Sequence, residues 1–160
     1  MTSVRLLVVL AIGLVLQACA AIAPPSLQID RAAVPRCSQT GNPRDCHVQV
    51  KVTATASSCT VAIAPEQNTI RFTRSDSDRG RFIYWVLDGP AGYTFRADGV
   101  FIPGNKGDFD MFRLSPDGLT YRVRNKHTRP GDYKYSINVI NEGAGVEGIQ
   151  CELDPRIQND

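Results

Sequence analysis

The feature that most constrains the fold is the alternation of apolar and polar residues over residues 121–139, which read YRVRNKHTRPGDYKYSINV. Tyrosines, valines and an isoleucine fall on one face, while Arg122 and Arg124 begin the opposite face. This period of two is the pattern of strands with one buried face. Pro130 and Gly131 favour a turn between the two halves. The stretch therefore predicts a hairpin from an antiparallel sheet.

Further short strands are predicted along the rest of the chain, and no segment has a helical period. A parallel sheet would need crossover helices, so the pattern predicts an all-β, antiparallel immunoglobulin-like or cupredoxin-like β-sandwich. Residues 82–87, reading FIYWVL, are apolar on both faces, which predicts a central strand with Trp85 in the core and its indole N–H hydrogen-bonded. The other predicted strands are 48–52, 60–64, 69–73, 93–95, 99–102, 110–114 and 149–153.

Length and charge limit the classes of function. The 160 residues suit one domain, and the 18 basic residues nearly balance the 16 acidic ones. This balance disfavours nucleic acid as a partner.

The N-terminus predicts export. Arg5 precedes an apolar run at 6–16, and small residues follow, which is the pattern of a secretory signal. Residues 16–19, Leu-Gln-Ala-Cys, resemble the bacterial lipobox, after which Cys19 would carry lipid and tether the chain to a membrane. The alternative is ordinary cleavage after Ala20 or Ala23, which would yield a secreted protein without lipid.

Cysteine parity favours the lipoprotein interpretation. Five cysteines leave one unpaired thiol, and assigning Cys19 to lipid leaves an even set suited to an oxidising compartment. The preferred disulfides are Cys37–Cys46 and Cys59–Cys151, although four cysteines allow three pairings. The predicted organisation is a signal peptide at 1–18, an Ala/Pro-rich tether with the start of a disulfide loop at 19–43, and a β-sandwich domain at 44–160. The expected location is the bacterial cell envelope, facing the periplasm or the cell surface.

The sequence also carries a family resemblance. PGDYKYSINV at 130–139 resembles the penultimate strand of bacterial immunoglobulin-like and cupredoxin-like domains, which often read PGTYxYxVxV. Tyr133 lies at a position similar to a tyrosine-corner residue. The order of CTVAIAPEQNTIRF, IYWVLDGPAGYTF, PGDYKYSINV and LDPRIQND resembles a group of uncharacterised proteobacterial exported β-sandwich proteins over residues 59–160. The resemblance implies a fold and no activity.

No metal or other cofactor is predicted. A cupredoxin copper site needs a cysteine, a histidine and an axial methionine near the last loop, and the spacing of His127, Cys151 and Met111 does not supply it. His47 and Cys46 are neighbours on a strand and point to opposite faces. Calcium could be held at 76–80 or by Asp108 and Asp110, but both stretches are more typical of solvated turns.

The sequence predicts a non-catalytic cell-envelope lipoprotein with a binding or structural role. No G-x-S-x-G motif is present, and oxidised cysteines are not nucleophiles. The expected partner is an envelope protein or a small ligand, at loops 88–93 and 103–108 at one end of the sandwich, with His127, Arg129 and Tyr93 as contact residues. The aromatic residues Tyr84, Trp85, Tyr93, Phe95 and Phe101 are assigned to the core. The alternatives are a secreted ligand-binding module and an envelope enzyme or cupredoxin-like metal protein.

Overall fold

The computed structural model describes residues 34–37, 45–72, 81–105, 107–144 and 149–160. Within these ranges the chain forms eleven strands and two single-turn 3-10 helices, at Pro65–Gln67 and Glu142–Ala144, and the all-β prediction is confirmed. The strands are β1 (Cys46–Ala54), β2 (Cys59–Ile63), β3 (Thr69–Phe72), β4 (Arg81–Asp88), β5 (Tyr93–Phe101), β6 (Phe109–Leu114), β7 (Thr120–Asn125), β8 (Gly131–Lys134), β9 (Ser136–Asn141), β10 (Ile149–Leu153) and β11 (Arg156–Asn159).

The strands form three sheets around one hydrophobic core. A five-stranded sheet has the order β2-β1-β4-β7-β6, and two three-stranded sheets have the orders β10-β9-β5 and β3-β11-β8. Buried apolar residues of all three sheets belong to a single cluster, so the arrangement is sandwich-like. The outer face of the five-stranded sheet, on the side away from this core, carries polar residues of β1 and β7 and the half-buried rings of Phe82 and Tyr84 of β4.

The predicted strands correspond to observed ones, with two differences. The runs 93–95 and 99–102 belong to the single strand β5, whose pairing with β9 shifts register between Phe95 and Val100. The sequence prediction missed β11, which reads RIQN and has Ile157 as its one apolar residue. A strand this short and polar has no clear local pattern, and its position depends on pairing with β3 and β8.

The prediction of a wholly antiparallel sandwich is wrong in two ladders. β1 pairs with β4 in parallel, and β11 pairs with β3 in parallel, whereas the other six ladders between strands are antiparallel. The prediction assumed that parallel strands need crossover helices. Here the described residues between β1 and β4 form strands β2 and β3 and one turn of 3-10 helix, and no α-helix lies among them.

The predicted hairpin over 121–139 is also wrong. β7 pairs with β4 and β6, whereas β8 pairs with β11, and β9 pairs with β5 and β10. The chain therefore passes from the five-stranded sheet to the other layer after β7. Alternation reports which face of a strand is buried and does not identify the neighbouring strand. Tyr135 separates β8 from β9, so the predicted second strand is divided between two sheets.

Trp85 connects the two layers at the centre of the core, as predicted. Its side chain is fully buried, and its indole N–H donates to the Tyr135 hydroxyl oxygen at 3.3 Å. The two rings meet edge to face, with centroids 5.3 Å apart. This geometry satisfies the one polar atom that a buried tryptophan brings into a core.

Both preferred disulfides are present. Cys37–Cys46 has a Cα–Cα distance of 4.8 Å, and Cys59–Cys151 has one of 5.7 Å and links β2 to β10. Cys37 is buried in the core, its backbone N–H donates to the His47 carbonyl at 2.8 Å, and Arg36 pairs with His47 in parallel. Residues 34–37 therefore belong to the folded domain, which begins earlier than the predicted boundary at 44.

Candidate functional site

The two loops that were predicted to meet at one end of the sandwich lie at opposite ends of β5. Residues 88–93 lead into this nine-residue strand, and residues 103–108 follow it. A strand of this length spans about 25 Å, so one ligand site cannot include both loops. Tyr93, at the start of β5, is only 4% exposed and offers little surface for a partner.

The loop at 103–108 instead approaches the chain that follows β7. Asp108 accepts hydrogen bonds from the hydroxyls of Thr128 and Tyr133, the latter at 2.7 Å. The Nε atom of Arg129 lies 3.5 Å from the same carboxylate. We call Asp108, Thr128, Arg129 and Tyr133 the Asp108 cluster. It joins the five-stranded sheet to β8 at one end of the sandwich.

Burial and hydrogen bonding set the protonation states in the Asp108 cluster. Burial by itself would raise the pKa of Asp108, but the hydroxyls of Thr128 and Tyr133 and the charges of Arg129 and Lys126 outweigh it, and the pKa is lowered. Burial, followed by the hydrogen bond to Asp108, raises the pKa of Tyr133 to about 12. Asp108 is therefore an anion and Tyr133 a neutral donor at physiological pH.

The pKa shifts of Asp108 and Tyr133 predict how the stability contributed by this pair depends on pH. The pKa of Asp108 is lowered from 3.8, so its contribution to stability is complete above that value and is lost as pH falls below it. The pKa of Tyr133 is raised from 10.0 to about 12, so its contribution is complete below pH 10 and is lost as pH rises toward 12. In denaturant unfolding, the stability difference between wild type and Tyr133→Phe is expected to shrink over that alkaline range. A difference that stays constant up to pH 12 would contradict this assignment.

His127 is buried beside the Asp108 cluster in a left-handed backbone conformation, with φ of 51°. The side-chain oxygen of Asn125 accepts from its backbone N–H at 3.0 Å, a local bond that supports this conformation. Its Nε2 lies 3.0 Å from the carbonyl oxygen of Asp160, which can only accept, so Nε2 carries the proton. Nδ1 is buried and has no hydrogen-bond partner.

The predicted contact residues His127 and Arg129 are thus neighbours, but they differ in accessibility. His127 is 6% exposed, and the side chain of Arg129 is 54% exposed. Among residues 125–129, Thr128 and Arg129 are exposed and Lys126 is half-buried, whereas Asn125 is fully buried. The amides of Asn125 and Asn159 exchange hydrogen bonds of 2.8 and 3.2 Å and fix β11 against β7.

Tyr133 does not form the tyrosine corner that the resemblance implied. In a tyrosine corner the hydroxyl bonds to the backbone a few residues upstream. Here it donates to the side chain of Asp108, 25 residues upstream. Its ring meets Phe109 edge to face with centroids 5.0 Å apart. Tyr133 therefore positions the loop before β6.

The described residues contain no group of three or more His, Cys, Asp or Glu side chains placed to hold a metal ion. The carboxylate of Asp110 accepts hydrogen bonds from the Nε and Nη2 of Arg124, each 2.7 Å long, and does not share a site with Asp108. Cys46 and Cys151 are in disulfides, and the Nδ1 of His47 lies 2.7 Å from the Val34 carbonyl oxygen. The calcium alternative at 76–80 lies outside the described residues.

The aromatic residues divide between core and surface. Trp85, Tyr93 and Phe95 are buried, as predicted, but Phe101 is 56% exposed. Tyr84 is half-buried on the outer face of the five-stranded sheet, where it lies opposite Arg122 of β7.

A second surface was not recognised from the sequence. Four cationic side chains lie together on the outer face of the five-stranded sheet. We call them the basic face, and they are Arg122 and Arg124 of β7, Lys126 just beyond it, and Arg113 of β6. The alternation of Arg122 and Arg124 placed both on one face of a strand. Only the pairing of Arg113 with Arg122 shows that β6 contributes a further cation to the same face.

Two of the grooves on the described surface are large enough to consider as ligand sites. The larger, about 530 Å³, lies where β5 meets the turn between β6 and β7, and it includes Thr94, Arg96, Asp117, Glu142 and Gln150. The smaller, about 370 Å³, lies over β1, β2 and β4. Both grooves are lined by acidic and basic residues, so their charge does not indicate one class of ligand.

No protein-family model matches the chain, and no curated protein matches it significantly. In the part of the chain that the structure describes, no helix has the length and hydropathy required to cross a membrane.

Proposed function

We propose that the chain is an exported cell-envelope lipoprotein, anchored through Cys19, whose β-sandwich domain has a non-catalytic binding or structural role. The observation that carries the proposal is the use of the cysteines. Cys37, Cys46, Cys59 and Cys151 form two disulfides, which leaves Cys19 as the one cysteine of the sequence outside a pair.

Two disulfides support an oxidising compartment, since cytosolic proteins keep their thiols reduced. The remaining cysteine lies three residues after the apolar run at 6–16, in the segment that resembles a lipobox. A lipid on Cys19 would give that thiol a chemical role and leave no free thiol in the mature protein.

The Asp108 cluster supports a structural use of its polar groups. The carboxylate of Asp108 is occupied by two hydroxyl donors and lies near one guanidinium. The backbone N–H of His127 donates to the side-chain oxygen of Asn125, and its Nε2 contacts the carbonyl oxygen of Asp160. These bonds connect loops to strands, and the exposed Arg129 remains the member of the cluster with surface for a partner.

The second candidate is a secreted ligand-binding module without lipid. The same disulfides fit it if Cys19 is discarded with a signal peptide that is cleaved after Ala20 or Ala23. The groove of about 530 Å³ beside β5 would then be the ligand surface, because its size falls in the range of small-molecule sites.

Replacing Cys19 with alanine is expected to release the protein from the membrane fraction, because the acylated thiol is the proposed anchor. The measurement is fractionation of cells that express either protein, with mass spectrometry of the mature N-terminus. Gln17→Ser is the matched control, since it changes the same segment but keeps the thiol, and it should remain membrane-bound. A mature protein that begins at Ala21 or Pro24, with no acyl group, would favour the secreted module instead.

A further inference from the structure

The basic face concentrates positive charge on one side of a nearly neutral chain. The positive charges fall at every second residue, at Arg122 and Arg124 in β7 and at Lys126 just beyond it. Their side chains therefore share the outer face of the five-stranded sheet. Arg113 of β6 lies opposite Arg122 in the register. Charged side chains segregated in this way create a local potential that the net charge of the chain does not show.

In the described part of the chain, the carboxylate of Asp110 contacts two of these cations, and Asp45 acts on Tyr84 beside Arg122. Asp110 is shared, because Arg124 binds it through two bonds of 2.7 Å and the Nζ of Lys126 lies 3.9 Å from it. Asp45 accepts a hydrogen bond from the backbone N–H of Phe82 at 2.9 Å. The basic face therefore keeps an excess of positive charge.

The arginines are also held in place before any ligand binds. The guanidinium of Arg122 lies over the Phe82 ring, 4.6 Å from its centroid, and its buried Nε has no hydrogen-bond partner. The two bonds from Arg124 to Asp110 fix the second guanidinium. Side chains ordered in advance lose less conformational entropy on binding.

Apolar side chains are exposed directly beside these charges. Met111 is 49% and Phe112 is 39% exposed, and both lie at the register shift of β6 between Asp110 and Arg113. Met111 has a φ of 53°, a left-handed conformation that non-glycine residues rarely adopt. A large apolar residue held exposed in a strained conformation suggests a functional contact.

Cations next to exposed apolar side chains fit the headgroup region of an anionic bilayer, where phosphates pair with the cations and the apolar groups enter the interface. From this juxtaposition we infer that the basic face, together with Met111 and Phe112, rests on an anionic phospholipid surface. The inference deepens the proposed function, since a lipid on Cys19 would keep the domain next to such a surface. The two would act together because the lipid keeps the domain close to the surface while the cations of the basic face pair with the headgroups.

The test uses the mature chain without its lipid, residues 19–160 with Cys19→Ala, mixed with phosphatidylcholine vesicles that contain or lack phosphatidylglycerol. Flotation should show binding to the anionic vesicles at low salt, weakening as salt is added. Arg113→Gln with Lys126→Gln should reduce this binding about 25-fold, from a factor of about five for each cation removed. Met111→Gly with Phe112→Ser should reduce the binding that persists at high salt, and the glycine suits the positive φ.

The matched control is Lys134→Gln with Arg156→Gln, which removes two exposed cations that face each other on β8 and β11 of the other layer. It should bind anionic vesicles within about twofold of the parent, because its cations belong to a different sheet and are not part of the basic face. Equal loss in this control, unchanged binding of the Arg113→Gln, Lys126→Gln variant, or equal binding to neutral vesicles would overturn the inference. Thermal unfolding of each variant confirms that the fold is kept.

Two further outcomes separate this inference from related ones. If light scattering shows a dimer that the Arg113→Gln, Lys126→Gln variant disrupts while vesicle binding is unchanged, the basic face contacts a second copy, and the inference is wrong. Preference for anionic vesicles in a protein whose Cys19 proves unacylated would support the basic face and reject the anchor. Acylated Cys19 without that preference would support the anchor and reject the basic face.

Discussion

Replacing Cys59 and Cys151 together with alanine is expected to lower the free energy of unfolding by about 4–5 kcal/mol. The disulfide joins β2 to β10 across 92 residues of sequence, so it removes much of the freedom of the unfolded chain. It also connects edge strands of two different sheets, whose relative position no backbone ladder fixes. Equilibrium denaturant unfolding of the oxidised protein measures the effect.

The other disulfide provides the comparison. Cys37 and Cys46 are nine residues apart, so the same chain-entropy argument gives about 3 kcal/mol for Cys37→Ala with Cys46→Ala. We therefore expect the long-range pair to cost more than the local pair. A larger loss from the local pair would mean that the burial of Cys37 and Cys46 in the core outweighs loop length.

Replacing Asp108 with asparagine is expected to destabilise the protein by about 3 kcal/mol. The carboxylate is buried, with 1% of the side chain exposed, and its two oxygens accept from different hydroxyls, those of Thr128 and Tyr133. The asparagine side chain keeps one acceptor oxygen, and its NH2 group would face one of the two hydroxyls that donate to Asp108 in the wild type. One buried hydroxyl therefore loses its partner, and Arg129 loses a counter-charge. Denaturant unfolding at neutral pH measures the effect.

Asp110→Asn is the matched control for this change. Asp110 has the same chemistry two residues away, but its pair with Arg124 is about one third exposed on both sides, so we expect a loss of no more than about 1 kcal/mol. A double-mutant cycle of Asp108→Asn with Tyr133→Phe should then give a coupling of about 1–2 kcal/mol. Equal losses at Asp108 and Asp110, or no coupling to Tyr133, would show that the cluster does not hold the loop.

The candidate surfaces were only partly accessible to sequence reasoning. His127 and Arg129 are close in sequence, so their proximity required no fold. Asp108, the residue that organises this end of the sandwich, appeared in the sequence only as a candidate for calcium or a solvated turn. Its burial depends on contacts with Thr128 and Tyr133, which come from segments 20 and 25 residues away. Tyr93 was misjudged because its loop precedes β5, at the opposite end from Asp108.

The distribution of charge over the surface was also not accessible to sequence reasoning. The balance of 18 basic and 16 acidic residues suggested no electrostatic partner, because composition averages over the whole surface. The structure places Arg113 beside Arg122 through the pairing of β6 with β7, and this pairing depends on an irregularity in β6 between Asp110 and Arg113. A register shift of this kind changes which side chains share a face, and alternation alone does not reveal it.

The sequence by itself determined the strands, the buried position of Trp85 and the likeness of its N-terminus to an export signal, because each depends on local periodicity or composition. Cysteine spacing also favoured the disulfides that the structure contains. Only the tertiary structure decided that residues 121–139 are divided among three sheets, that two ladders are parallel, and that the basic residues of β6 and β7 share one face. The physical reason is that alternation records whether a side chain is buried, whereas the identity of a neighbouring strand depends on contacts between residues far apart in the chain.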